Sequence, residues 1–234
     1  MKYLAIETSS ALCGVCITEE TNLIDKLEIE NGLTHSQNLM PLIQELLDKN
    51  NLKIADINGF ICDIGPGSFT GIRIGVATAK AFVDSFDNIS YTGVSSLEAL
   101  AYNVNINGFV ASIIDCKNDN CYFALYNLNN NSLNEIISPI AVSITEMYSL
   151  LDKYKNNEIT FVGDGALIYK QEITDNTKNS KFLNENENKI STYNLALAGL
   201  KKINNNTTLD LLPLYLKKPQ AERLLEEKDL KNGK

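Results

Sequence analysis

The sequence predicts an α/β protein made of two copies of one unit, and three observations lead there. A short apolar strand ends in a carboxylate twice, at Glu7 after residues 3–6 and at Asp115 after residues 109–114. Each of these strands is followed by two more strands, a helix and a fourth strand. Each fourth strand then runs into a glycine turn, Gly65-Pro66-Gly67 in one case and Gly163-Asp164-Gly165 in the other. One order of elements repeated with little sequence identity is the mark of a duplicated α/β unit, here β-β-β-α-β-α. The boundary between halves falls in the connection 103–108, giving an N-terminal half over 1–104 and a C-terminal half over 105–234.

The first half opens on strands at 3–7, 13–18 and 23–30, and three consecutive strands imply an antiparallel meander. Thr8, Ser9 and Ser10 form the polar turn after the first. Glu7, a carboxylate at a buried strand end followed by three hydroxyls, is either a functional group or a loop cap, and local sequence leaves both open. Thr34-His35-Ser36-Gln37 matches a capping box and starts a helix to about 49, with Leu39, Leu42, Ile43, Leu46 and Leu47 on one side. Pro41 inside it predicts a kink or a delayed start. His35 reads as an exposed or capping residue rather than a ligand.

Residues 60–80, FICDIGPGSFTGIRIGVATAK, carry the most information in the chain. A strand, a glycine turn and a helix N-terminus make an anion cradle, because unpaired N–H groups point outward there. The plain alternative is a tight β–α connection with no ligand. The Gly-Lys-Ser/Thr ending of a Walker P-loop is missing. Ser68 and Thr70 are the two N-cap candidates. Arg73 sits in the first helical turn, where the macrodipole disfavours a cation. A bound anion or a carboxylate such as Asp63 is expected to offset that cost, and the carboxylate is the simpler choice. Gly71, Gly75 and Ala79 lie four residues apart on one stripe, which lets another backbone approach closely. Glycine inside a helix costs about 1 kcal/mol relative to alanine. Gly75 therefore has a packing reason, within the chain or across an interface. A strand at 90–94 and a capping box at Ser95-Ser96-Leu97-Glu98, starting a short helix through Tyr102, close the first half.

In the second half, strands are predicted at 109–115 and 121–127, with a turn at 117–120 between them. A weaker strand follows at 135–139. A helix capped by Ser143 and Glu146 runs to about 153, and another strand spans 159–162. Residues 171–188, rich in Asn, Glu and Lys, read as a solvated loop or frayed helix. A helix at 194–202 follows. Residues 211–216, interrupted by Pro213, read as an edge strand or extended docking segment. Residues 221–234 read as a loose terminal helix.

Composition narrows the function. At 234 residues with 44% hydrophobic residues, the chain can bury a sizeable core. No run approaches the roughly 20 apolar residues of a membrane helix. The N-terminus passes straight into Glu7 and reads as a strand, not a signal peptide. Five cysteines, an odd number, suit reduced thiols in the cytoplasm. Cys13 and Cys16 have CxxC spacing, but in a strand they fall on opposite faces. A net charge of −8 opposes direct binding of a polyanion. One histidine, His35, cannot build a histidine-rich zinc site, so no metal ligands are assigned.

Two units of this kind resemble the actin/sugar-kinase/Hsp70 (ASKHA, ribonuclease H-like) architecture. Within it the sequence is similar to the TsaB (YeaZ-like) family. The similarity is carried by LAIETSS at 4–10, THSQNLMPLI at 34–43 and GPGSFTGIRIG at 65–75. VSSLEALA at 94–101, GDGA at 163–166 and PLYLKKPQAE at 213–222 continue it. The resemblance implies a non-catalytic scaffold or activator of TsaD, the enzyme that transfers a threonylcarbamoyl group to the adenosine beside the tRNA anticodon. It implies a third partner, the ATPase TsaE, and contact with tRNA only through the complex. TsaD-like relatives hold a metal through a two-histidine helix motif, of which this chain keeps only His35. The family's first strand frequently carries Asp where Glu7 stands. Pairing is implied through helices at 36–47 and 71–82, by Ser36, Leu39, Met40, Ile43, Gly71, Ile72, Arg73, Gly75, Ala79 and Phe82. A homodimer would use the same face. Loops that could face an anion or nucleotide are Thr8, Ser9, Gly65, Pro66, Gly67, Ser68, Thr70, Gly163, Asp164 and Gly165. No cofactor is expected to stay bound to the isolated chain, with ATP or ADP placed at the junction of the complex. The competing readings are an ATP-using phosphotransferase drawing on Glu7, Asp63 and Asp115, and an M22-type metalloprotease.

Overall fold

The computed structural model describes residues 1–30, 32, 34–130 and 132–217. In the first half, β1 (Lys2–Glu7), β2 (Cys13–Glu19) and β3 (Asn22–Ile29) form the antiparallel meander. Then come α1 (His35–Lys49), β4 (Gly59–Asp63), α2 (Phe69–Asp84), β5 (Ser90–Val94) and α3 (Ser96–Ala101). β4 lies parallel to β1 and β5 parallel to β4, so the sheet order is β3-β2-β1-β4-β5. The helix α1 runs unbroken through Pro41.

The second half repeats this order. β6 (Gly108–Asp115), β7 (Asn120–Asn129) and β8 (Ser132–Ser143) are antiparallel, followed by α4 (Ile144–Leu151) and β9 (Ile159–Val162). Then come α5 (Asp164–Ile168), α6 (Lys170–Asn176), β10 (Ser180–Phe182) and α7 (Thr192–Asn204). Its sheet order, β8-β7-β6-β9-β10, is the first sheet's order over again. Each unit thus carries a fifth strand and a closing helix beyond β-β-β-α-β-α, and the whole is the actin-like, ribonuclease H-like fold.

Strand alternation divides the core into layers. Leu4, Ile6, Val15 and Phe60 pack under α1 and α2, with Leu39, Ile43, Leu46, Ile72 and Ala79. The other face of the same strands, Tyr3, Ala5, Cys16 and Ile61, packs with residues of α3 and α7 and with Val110 and Tyr126 of the second sheet. Cys13 and Cys16 accordingly sit in different layers. The outer face of the second sheet, with Ile113, Phe123 and Phe161, is covered by α4, α5 and α6.

The halves exchange their last helices. α7 packs on β1, β2, β4 and β5, whereas α3 packs on β6 and β7. The division at 104/105 therefore separates the sheets but not the packed units. Residues 209–214 also return to the first half. Gly93 N–H donates to the Leu209 carbonyl at 2.8 Å, and Leu214 N–H to the Ile64 carbonyl at 2.7 Å. This is the extended docking segment foreseen around Pro213, not a strand.

Two stretches depart from the sequence reading. The strand expected at 135–139 is the longer β8, an edge strand whose position tolerates Pro139. The segment 171–188, expected as a solvated loop or frayed helix, is helical over its first residues. It holds most of α6, then β10 and a 3-10 turn at Asn186–Asn188, anchored by fully buried Ile173 and by Phe182 stacked on Phe161. The helix expected at 221–234 lies outside the described residues. Among the described residues no helix is long and apolar enough to cross a membrane.

Candidate functional site

The turns after β1, β4, β6 and β9 meet at a cleft of about 710 Å³ between the halves. Ser9, Ser10, Pro66, Gly67 and Ser68 line it from the first half, and Asp115, Lys117, Tyr122 and Asp164 from the second, with Glu30 and Lys189. Of the loop residues named from sequence, Ser9, Pro66, Gly67, Ser68 and Asp164 reach the lining. Thr8, Gly65, Gly163 and Gly165 are buried behind it, and Thr70 is exposed on α2.

The first-half turns are satisfied from within. Glu7, fully buried, accepts the Ser9 and Ser10 N–H groups on Oε1 at 2.9 and 3.1 Å. The hydroxyls of Ser9 and Ser10 also reach that oxygen, at 2.8 and 3.1 Å. Asp63, also fully buried, accepts Gly65 N–H at 2.7 Å and the Ser96 hydroxyl at 2.6 Å on Oδ1. Burial, then the charge of Asp63, pushes the Glu7 carboxyl well above the usual range. Burial raises Asp63 too, against hydrogen bonds from Glu7, Ser96, Gly65 and Ser9 that hold it down.

The β4–α2 cradle is filled by the same chain. Ser68 is the N-cap, accepting Gly71 N–H at 3.2 Å, while its own N–H donates to the Ser9 carbonyl at 2.6 Å. The small-residue stripe faces β1 and the turn after it. A Cβ on Gly71 would lie 1.9 Å from the Thr8 carbonyl oxygen, and one on Gly75 2.4 Å from Thr8 Oγ1. Ala79, Leu39, Ile43 and Ile72 are buried in the same layer. These six residues therefore pack within the chain rather than on its surface. Ser36, Met40 and Arg73 point outward, and half-buried Phe82 stacks on Phe60.

Arg73 does not pair with Asp63. Its Nε donates to the Tyr215 hydroxyl at 2.7 Å, and its guanidinium lies 3.7 Å over the Phe69 ring. Phe69 and Tyr215 stack on each other at 4.9 Å. Cation–π attraction thus offsets the unfavourable helix end. His35 is not a free cap either. Its Nε2 donates to the Ser10 carbonyl at 2.9 Å, and its Nδ1 is buried without a partner among the described residues.

In the second half, Asp164 Oδ1 accepts Asp115 N–H at 3.0 Å and Gly165 N–H at 2.7 Å. Asp115 accepts Lys117 N–H at 3.1 Å and the Tyr169 hydroxyl at 2.9 Å, and pairs with Lys117 Nζ at 2.7 Å. Burial pushes Asp115 up, but Lys117 and Tyr169 more than offset it and hold the carboxyl below its usual range. Burial raises Asp164. Gly163 needs its φ of +104°, and a Cβ there would lie 2.2 Å from the Ile113 carbonyl oxygen.

An actin-like fold raises the question of a nucleotide in this cleft, and several of the N–H groups its phosphates would use are already taken. Phosphate binding uses free N–H groups and surplus cations. Here the N–H groups of Ser9, Ser10, Gly65, Ser68, Lys117 and Gly165 already have acceptors. The two lining lysines are paired, Lys117 with Asp115 and Lys189 with Glu30. Among the described residues, no three of His, Cys, Asp and Glu gather as metal ligands. Sequence reasoning missed Ser96 and Tyr215. The doubled serine of the capping box was the available signal, since Ser95 caps α3 and frees Ser96 for Asp63.

A family model described as "TsaD: tRNA N6-adenosine threonylcarbamoyltransferase" matches residues 31–227. A Bacillus subtilis (strain 168) protein named "tRNA threonylcarbamoyladenosine biosynthesis protein TsaB" is 32% identical over 176 residues, 75% of this chain and 76% of that one. A Haemophilus influenzae protein of the same name is 24% identical over 229 residues, 93% of this chain and 94% of that one. Among solved structures, YeaZ from Pseudomonas aeruginosa superposes with a TM-score of 0.75 at 20% identity, covering 92% of this chain and 99% of that one. Component A of the Acidaminococcus fermentans (R)-2-hydroxyglutaryl-CoA dehydratase shares the fold at a TM-score of 0.50 and 10% identity, covering 87% and 99%. With the sequence match running over three quarters of its length, the chain belongs to the TsaB (YeaZ-like) family.

Proposed function

We propose that this chain is a non-catalytic subunit that pairs with a TsaD-type enzyme and holds it in a working conformation for making threonylcarbamoyladenosine in tRNA. The names of its relatives set the pathway. The observation that carries the subunit role is the exposed stack of Phe69 and Arg73 of α2 with Tyr215 of the returning C-terminal segment, beside exposed Met40 on the neighbouring helix α1. Aromatic residues and arginine dominate binding hot spots. Arg73 is already clamped, so little side-chain freedom is lost on docking. Ser36, Met40 and Arg73 are the outward residues of this face, and a homodimer in the absence of partner would use it too.

The activating effect is a population shift, driven by preferential binding to the competent state of the enzyme. The net charge of −8 leaves tRNA to be held by the complex rather than by this chain alone. A nucleotide at the junction, and the TsaE-type ATPase that serves the complex, would take their phosphate contacts from the partner side.

Co-expression with a TsaD-type protein and mass measurement of the complex test the reading. Arg73→Ala and Tyr215→Ala are expected to weaken pairing by roughly 10–30-fold, a loss of about 2 kcal/mol. Threonylcarbamoyl transfer in a reconstituted assay should fall in step with pairing. Folded variants that pair and support transfer like the parent chain would overturn this surface.

A further inference from the structure

We propose that Glu7 and Asp63 hold one proton between them, and that this proton locks both first-half walls of the cleft to the start of α3. Both carboxyls are fully buried, at the ends of the paired strands β1 and β4. Glu7 Oε1 is crowded with donors from Ser9 and Ser10. Glu7 Oε2 is equally buried, and among the described residues no group donates to it. A bare carboxylate oxygen in that position carries a full desolvation cost. A proton on Oε2, hydrogen-bonded to Asp63, removes it and leaves one negative charge for the pair. Two ionised carboxyls in contact would repel each other without a cation to divide them.

The groups that face the pair come from four elements and the turn after β1. They are the hydroxyls of Ser9, Ser10 and Ser96, the thiols of Cys13 on β2 and Cys62 on β4, and His35 of α1 behind the Ser10 carbonyl. Ser96 ties the pair to α3 twice. Its hydroxyl meets Asp63 and Ser9, and its N–H donates to the Gly65 carbonyl at 2.9 Å. Loss of the proton therefore loosens the Ser9–Ser10 turn, the Gly65–Ser68 turn and the α3 N-terminus together.

Glu7→Gln tests this, because an amide can donate to Asp63 while its carbonyl keeps the Ser9 and Ser10 donors. The parent chain at neutral pH is expected to show the infrared C=O stretch of a protonated carboxylic acid, and Glu7→Gln to lack it. In the parent, amide exchange at Ser9, Ser10 and Gly65, corrected for intrinsic rate, should quicken about tenfold from neutral to alkaline pH. Glu7→Gln and Asp63→Asn should fold and stay flat. A missing carboxylic band, a variant as alkali-sensitive as the parent, or failure of both amide variants to fold at neutral pH would each overturn the proposal.

Discussion

Each half pairs a carboxylate ending its first strand with one at or just past the end of its fourth, Glu7 with Asp63 and Asp115 with Asp164. Each pair caps the turns that follow the first and fourth strands, by accepting N–H groups one to three residues on. The two pairs handle their charge differently. The first is sealed in the core and shares its environment with hydroxyls and thiols. The second opens on the cleft, where the Asp115 side chain is 5% exposed and its partner Lys117 is 81% exposed. A duplicated fold thus keeps one turn-capping geometry while one copy dispenses with a counter-ion and the other retains it.

The comparison breaks most directly by deleting the caps. Glu7→Ala strands buried N–H and hydroxyl donors, and a loss of about 3–5 kcal/mol is expected in denaturant unfolding. Asp115→Ala should cost about 1 kcal/mol, because water reaches the donors it leaves. Equal losses would mean that the two pairs are alike after all. The glycines beside the pairs should behave alike instead. Gly67→Ala would bring a Cβ 2.2 Å from the Ser9 carbonyl oxygen, and Gly163→Ala 2.2 Å from that of Ile113. Each should lose about 2 kcal/mol or more, read as a lowered melting temperature.

A subtler contrast lies in pH. Glu7 is raised above 4.5, so its contribution is complete below that value and is lost as pH rises through the folded-state value. Asp115 is lowered from 3.8, so its contribution is present above that value and is lost as pH falls through the folded-state value. Unfolding of Glu7→Gln and Asp115→Asn against the parent chain should therefore diverge at opposite ends of the pH scale. Divergence at the same end would remove the distinction. The smallest effect expected is that of Glu7→Gln near neutral pH, under about 1 kcal/mol, since the amide keeps the hydrogen bonds.

Much of this was legible in the sequence because it is local. The strand ends at Glu7 and Asp115, the glycine turns and the caps at Thr34, Ser68, Ser95 and Ser143 are set by neighbouring residues. The stripe Gly71, Gly75, Ala79 announced a close approach but not its partner. That partner is Thr8, distant in sequence and brought near by the pairing of β1 with β4. The same pairing brings Glu7 to Asp63, which no spacing reveals. In the segment 171–188, asparagine and charge outweighed Ile173 and Phe182, the two residues that anchor its helix and strand. Arg73 found aromatic rings in place of a carboxylate because Tyr215 arrives from the far end of the chain.

The exchange of final helices sets a schedule for synthesis. The face of the first sheet that bears Tyr3, Ala5, Cys16 and Ile61 stays bare until α7 is made. Gly199 of α7 seats against Ile61 so closely that an added Cβ would fall 2.4 Å from Ile61 Cγ2. On the ribosome, the first hundred or so residues emerge with five strands and three helices but lack the helix that covers this face of their own sheet. The nascent N-terminal half must therefore wait, partly open, for a helix encoded near the end of the message. A fragment cut at the midpoint of the gene inherits that open face permanently.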